Sequence, residues 1–175
     1  SCFCPECRKA FEKYLGRSVH GFPGMVLPGN PYSSPWQEFR CRQITSLVQE
    51  IARAARTARP GILLSAAVYP DWQSARSSVG QDWVSWQKQS LLDFVCPMNY
   101  RATASLFAGD LARQKQQLGH LNALLPGIGV SSERLSKDEL ARQIQCCRNA
   151  GAMGFILFEY TPREACDLLP GLLQK

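Results

Sequence analysis

The sequence predicts an α/β fold of parallel strand–helix repeats, about four units, arranged as in the C-terminal half of a (β/α)8 TIM barrel. Three observations lead there. Short apolar runs at 62–68, 92–96, 124–130 and 153–158 recur at roughly the 30-residue spacing of one strand–helix unit. None alternates strictly between apolar and polar, which is how strands covered on both faces read. The segments between them carry helical patterning and short turns, so the strands must run parallel through right-handed crossovers.

The helices are legible from their stripes and ends. Segment 43–58 carries Ile44, Leu47, Val48, Ile51 and Ala55, an i, i+3, i+4, i+7 apolar face. Further helices are expected at 83–90, 106–118, 140–150 and 163–174. Ser136 with Glu139 forms a capping box, as does Thr161 with Glu164, where Pro162 takes the first helical position. Ser34-Pro35 plays the same part before Trp36. Pro60-Gly61 ends one helix and Gly151 another. An open doubly wound sheet fits less well, because Gly127 and Gly129 lack the third glycine and the following helix of a phosphate-binding turn.

A closed barrel needs about 250 residues, so a chain of 175 is expected to hold part of one. Residues 1–175 are read as a single partial barrel domain, with a Cys-containing helix and loop at 1–34 and the repeats at 35–175. The formal charge is +6, from 20 Lys+Arg against 14 Asp+Glu. The basic residues stand singly along helices rather than in a run with interleaved aromatics, so a solvated basic surface is expected and not a nucleic-acid interface. No apolar run reaches the roughly 18 residues of a membrane span.

Cys2, Cys4 and Cys7 crowd the N-terminus as C-x-C-x-x-C, while Cys41, Cys96, Cys146, Cys147 and Cys166 are scattered. The cluster is half of a zinc signature. His20 and Cys41 offer further ligands without a paired spacing. A metal, a local disulfide and unlinked thiols all remain open, and no metal or other cofactor is assigned. Cys96 reads as a small core residue.

In a barrel the chemistry gathers where strands end. Those ends carry Tyr69, Asp71 and Trp72, then Asn99 and Tyr100, then Gly127 to Gly129, then Glu159 and Tyr160. Aromatic faces suit the apolar side of a sugar ring, and Asn, Asp and Glu suit its hydroxyls. Tyr69, Trp72, Asn99, Tyr100 and Tyr160 are therefore candidate substrate contacts, the alternative being that the aromatics simply cover the barrel rim. Ordinary glycoside hydrolysis uses two carboxylates, and Asp71 and Glu159 are the two at strand ends. Glu159 follows an apolar run with no basic neighbour before Arg163, a setting that suits a proton donor; a hydrogen bond to a loop backbone, Tyr69 or Tyr100 is the equal alternative. Asp82 reads as a helix cap, and Asp93 lies at the entry end of a strand.

The segments Cys2-Phe-Cys-Pro-Glu-Cys-Arg-Lys-Ala-Phe11, Leu64-Ser-Ala-Ala-Val-Tyr-Pro70, Gly80-Gln-Asp-Trp83, Leu92-Asp-Phe-Val-Cys-Pro-Met-Asn-Tyr100, Pro126-Gly-Ile-Gly129 and Gly154-Phe-Ile-Leu-Phe158 together resemble the bacterial glycosyl-hydrolase-like, family-10-like TIM-barrel proteins. The resemblance implies a carbohydrate-processing barrel, exported or envelope-associated, with substrate contacts at Tyr69, Asp71, Asn99 and Tyr100. It also implies an acidic strand-end motif upstream of the Cys-rich segment, so the main catalytic acid is expected before Ser1. The function expected is that of a glycoside hydrolase-like protein acting on a poly- or oligosaccharide. The alternatives are a non-catalytic carbohydrate-binding or scaffold protein, and a dimerising half-barrel with a Cys-bound metal. The partners expected are a carbohydrate and either a second copy or an N-terminal half-barrel, since exposed parallel edges favour completion.

Overall fold

A computed structural model describes residues 2–159, 161–162 and 164–170. It is a mixed α/β structure in which short parallel strands alternate with helices. Helix α1 (Pro5–Leu15) and a 3-10 turn (Gly24–Val26) precede the long α2 (Ser33–Ala58). Then follow β1 (Ser65–Val68), α3 (Trp72–Val79), α4 (Trp83–Lys88), β2 (Phe94–Pro97) and α5 (Ala104–Leu118). The chain continues through β3 (Gly127–Gly129), α6 (Lys137–Ala150) and β4 (Ile156–Phe158), and then a π turn at Glu164–Leu168.

The strands lie side by side in chain order. β1 pairs parallel with β2, Ser65 opposite Phe94 and Val68 opposite Pro97. β3 pairs parallel with β4, Gly127 opposite Ile156 and Gly129 opposite Phe158. A parallel bridge between Val95 and Leu124 joins the two pairs, with Val95 donating to Ala123 and Leu125 donating to Val95. Each strand is shorter than its apolar run, because the remaining residues turn into loops that pack without a ladder partner.

The two faces of the sheet differ. Val68, Val95, Leu124 and Ile128 point into the main core with Trp83, Trp86, Phe107, Leu111, Leu140 and Ile144 from the helices. By register, Ser65, Ala67, Ile156 and Phe158 lie on the other face, and all four are exposed. The expectation of strands buried on both faces is thus corrected: helices cover one face only. Hydrophobic runs arise here because β3 is fully buried and the loops flanking each strand enter the core.

The helix ends follow their local chemistry. Ser136 accepts from the Glu139 backbone N–H at 3.2 Å, while the Glu139 side chain accepts from Arg142 and Gln143. Asp82 caps α4, as expected. Ser34 does not cap α2: that helix begins at Ser33, with Tyr32 at the cap position and no side-chain cap bond. Helix α2 also starts at Ser33, well before its apolar stripe opens at Ile44, because its first turns face a different partner. Trp36 and Phe39 join Phe11, Val19 and Val26 in a satellite core. Further along α2, half-buried Ile44 and Val48 pack against the main core and Ala52 is buried, while Leu47 and Ile51 of the stripe are half exposed. Of the helix expected at 163–174, the described part forms only the π turn Glu164–Leu168 and then leaves helical geometry at 169–170, while 163 and 171–174 lie outside the described residues. No described helix is long and apolar enough to cross a membrane.

Candidate functional site

The C-terminal ends of the four strands face the same way, and the loops leaving them carry the candidate residues. After β1, Tyr69 is exposed, and its backbone N–H donates to Gln81 Oε1 at 3.0 Å. Asp71 begins α3: its Oδ1 accepts from the Ser74 N–H at 2.8 Å. Hydrogen bonds from the Ser74 side chain and backbone hold the Asp71 carboxyl below the usual range. It is therefore a carboxylate at neutral pH, suited to accept a proton or a hydroxyl hydrogen rather than to donate. Trp72 is pinned by its edge, Nε1 donating to Asp82 Oδ1 at 2.8 Å. Asp82 also pairs with Arg76, which reaches Glu38 on α2. This network ties α2, α3 and α4 together and spends Trp72 on it.

After β2, Asn99 is fully buried. Its carboxamide and that of Gln114 on α5 bond reciprocally, at 3.1 Å and 2.7 Å, and Gln114 also donates to the Pro70 carbonyl at 3.0 Å. Asn99 thus joins the loops after β1 and β2 through α5, and a sugar could reach its amide only by displacing this pair. Gln114→Leu should cost about 1–3 kcal/mol, because it orphans the buried Asn99 amide. Urea unfolding of the variant checks this, and a change within error would show that the pair is not a linchpin.

Tyr100 lies over the end of β3, where Gly127 and Gly129 leave room for it. A Cβ on Gly129 would stand 2.8 Å from Tyr100 Cβ. The ring stacks on Phe158, centroids 5.2 Å apart at 16°, and burial pushes its phenol up. Next to it Arg101 binds the buried Asp110 through Nε at 2.6 Å, and Arg113 completes that ion pair. After β4, Glu159 is exposed and its N–H donates to Ser131 Oγ at 3.1 Å. The peptide between Phe158 and Glu159 is cis. Tyr160 lies outside the described residues.

The strand ends therefore collect Tyr69, Asp71, Tyr100 and Glu159 on accessible loops, with Asn99 buried beneath and Trp72 turned into the helical layer. Sequence reasoning missed Phe158, Gln114, Gln81 and Ser131. Phe158 was available as the last apolar residue of a run. Gln81 stands out in the sequence only as part of the Gly80–Trp83 segment and without this role. Gln114 and Ser131 are helix and loop residues whose roles depend on which loop they fold against, and no local pattern marks them. The grooves of the helical layer lie elsewhere, one of about 500 Å³ running past Leu27, Trp36 and Ser77.

At the start of α1 the sulfurs of Cys2, Cys4 and Cys7 all lie within 4.8 Å of one another. The Cys7 N–H and the neighbouring thiols lower Cys4 to about 7. Hydrogen bonding with the Cys4 and Cys2 thiols, together with burial, pushes Cys7 up to about 12. None of the described cysteines is in a disulfide.

The profile of the family described as glycosyl hydrolase-like 10 matches residues 12–125. No curated protein matches the chain.

Proposed function

The chain belongs to the glycosyl hydrolase-like 10 family, and from that premise we propose that its strand-end face is one half of a sugar-binding and glycoside-cleaving site in a (β/α)8 barrel. The observation that carries the reading is the convergence of Tyr69, Asp71, Tyr100 and Glu159 at the same ends of four neighbouring parallel strands. The bare face of the sheet supports the barrel: Ser65, Ala67, Ile156 and Phe158 occupy the side that a closed barrel turns inward. Further strands, from a longer polypeptide or a second copy, would close it and add the remaining wall of the site.

In this reading the exposed face of Tyr69 and the Tyr100–Phe158 stack take the apolar side of a sugar ring. Asp71, held as a carboxylate, serves the base or nucleophile side, and Glu159 donates the proton. Asn99 acts through Gln114 to position the loops. Trp72, spent on Asp82, backs the site from the helical layer, and the main acid comes from the completing strands if Glu159 does not supply it.

The test is hydrolysis of a panel of aryl glycosides and polysaccharides by the intact protein, with Asp71→Asn and Glu159→Gln. Asn is as good an N-cap as Asp, so the first variant keeps α3 while removing the charge. Each rate is expected to fall by about 10²–10⁴-fold, the usual worth of a positioned acid or base. An unchanged rate in both removes these residues from the mechanism. The capping duty of Asp71 also favours a second reading, non-catalytic carbohydrate binding. Retained oligosaccharide binding with no hydrolysis by the wild-type protein would select it.

A further inference from the structure

The three clustered thiols at the start of α1 take no part in the strand-end reading, and they are built in rather than loosely placed. Two independent anchors hold them. Phe3, between the first two cysteines, stacks on Trp36 at 5.8 Å and 22° and meets Phe22 edge-on at 6.0 Å. This seats the extended segment on the satellite core. Cys4 is the N-cap of α1, its sulfur accepting from the Cys7 N–H at 3.5 Å, and this turn brings Cys7 round beside it. The cluster thus combines an anchored strand-like segment and the first turn of an 11-residue helix.

A tetrahedral zinc about 2.3 Å from each thiolate needs sulfurs about 3.8 Å apart. Sulfurs all within 4.8 Å reach that by side-chain rotation of exposed or half-exposed residues, without moving the backbone. The helix N-terminus favours the negative charge that thiolates bring. An N–H donating to a ligand sulfur is the kind of outer partner that orients and steadies such a site. Among the described residues, the groove beside the thiols, bounded by Trp36, Phe39, Arg40 and Gln43, adds no Cys, His, Asp or Glu. A water suits the fourth position. Three soft thiolates select zinc over the hard divalent cations.

We propose that Cys2, Cys4 and Cys7 form a zinc site with three thiolate ligands and a water in the fourth position, stapling the N-terminal segment to α1 against the aromatic satellite core. Binding requires loss of the thiol protons to solvent, so occupancy falls in acid. Nothing is oxidised, and the site stands whether or not the glycosidase reading holds.

The experiment uses the intact protein purified under reducing conditions without added chelator. Elemental analysis should find about one zinc per chain. Replacement by cobalt should give thiolate-to-metal charge transfer in the near ultraviolet and tetrahedral d–d bands in the visible. Cys2→Ser, in the exposed segment, should weaken zinc by about 100-fold or more, since losing even an outer partner costs 10–100-fold. Cys166→Ser, an exposed thiol elsewhere, should leave zinc content and the cobalt spectrum unchanged. Cobalt bands in the wild-type protein report the site even if Cys2→Ser expresses poorly. Three results each overturn the proposal: absence of both zinc and the cobalt signature, a disulfide between any two of the three cysteines, or full zinc content in Cys2→Ser.

Discussion

Trp83→Ala should lower the unfolding free energy by about 3–5 kcal/mol, the range for removing a fully buried large aromatic from a core. A domain has only about 5–15 kcal/mol in total, so the variant should approach the limit of folding. Trp83 has no solvent exposure and opens α4, in the core that Val68 and Val95 of the strands share with Trp86 and Phe107. Its removal leaves a void where α4 meets β2, and a close-packed interior refills it only in part. The indole nitrogen adds a second arm to the test. Trp83 Nε1 is buried without a hydrogen-bond partner among the described residues, so Trp83 already bears the desolvation cost of an unmade bond. Trp83→Phe removes that group with a smaller loss of volume and should cost well under the alanine variant. Denaturant unfolding of the two variants decides it. A phenylalanine variant as damaging as alanine would mean that the N–H finds a partner in solution.

The alternation of strands and helices was legible because backbone chemistry writes it locally. Ser136, Asp82, Gly80, Gly119 and Gly151 stand at helix boundaries, the glycines in the left-handed region where a side chain is disfavoured. Helix α3 was missed although both its ends were written, Asp71 before and Gly80 after. Its interior, Trp72 to Val79, buries only Ala75, so it has no apolar stripe to read. Lengths erred where a partner rather than the segment decides. The apolar runs outlast the strands because loop residues also enter the core. Helix α2 outruns its stripe because Trp36 and Phe39 serve the satellite core.

At the site, residue types at strand ends could be read, but not their commitments. Asp71 is occupied by capping, Trp72 by Asp82 and Asn99 by Gln114. A sequence pattern places a side chain at a strand end. What else competes for its polar atoms depends on residues 10 to 15 positions away or more, such as Asp82 and Gln114, and is set only when the helices dock.

Gly129→Ala tests the one place where the backbone itself shapes the strand-end face. A Cβ there would collide with Ser132 Oγ and stand 2.8 Å and 3.0 Å from Tyr100 Cβ and Cγ, well inside van der Waals contact. Ser132 is exposed and its hydroxyl can rotate away. The Tyr100 contacts involve the root of the side chain, which moves only with its backbone. Overpacking of this kind costs about 1–3 kcal/mol, and the strain falls on the Tyr100–Phe158 stack. Gly127→Ala is the graded control: its nearest contacts, Pro97 O and Tyr100 Cε1, both lie at 3.2 Å, and the ring atom is at the movable end of the side chain. The expected order is therefore a clear loss of stability and altered aromatic ring shifts for Gly129→Ala, and a smaller change for Gly127→Ala. Equal effects, or unshifted Tyr100 and Phe158 ring resonances in Gly129→Ala, would show that Tyr100 does not rest on β3. If the stack forms a sugar platform, Gly129→Ala should also raise KM more than it lowers kcat, because it displaces a binding surface and leaves both carboxylates in place.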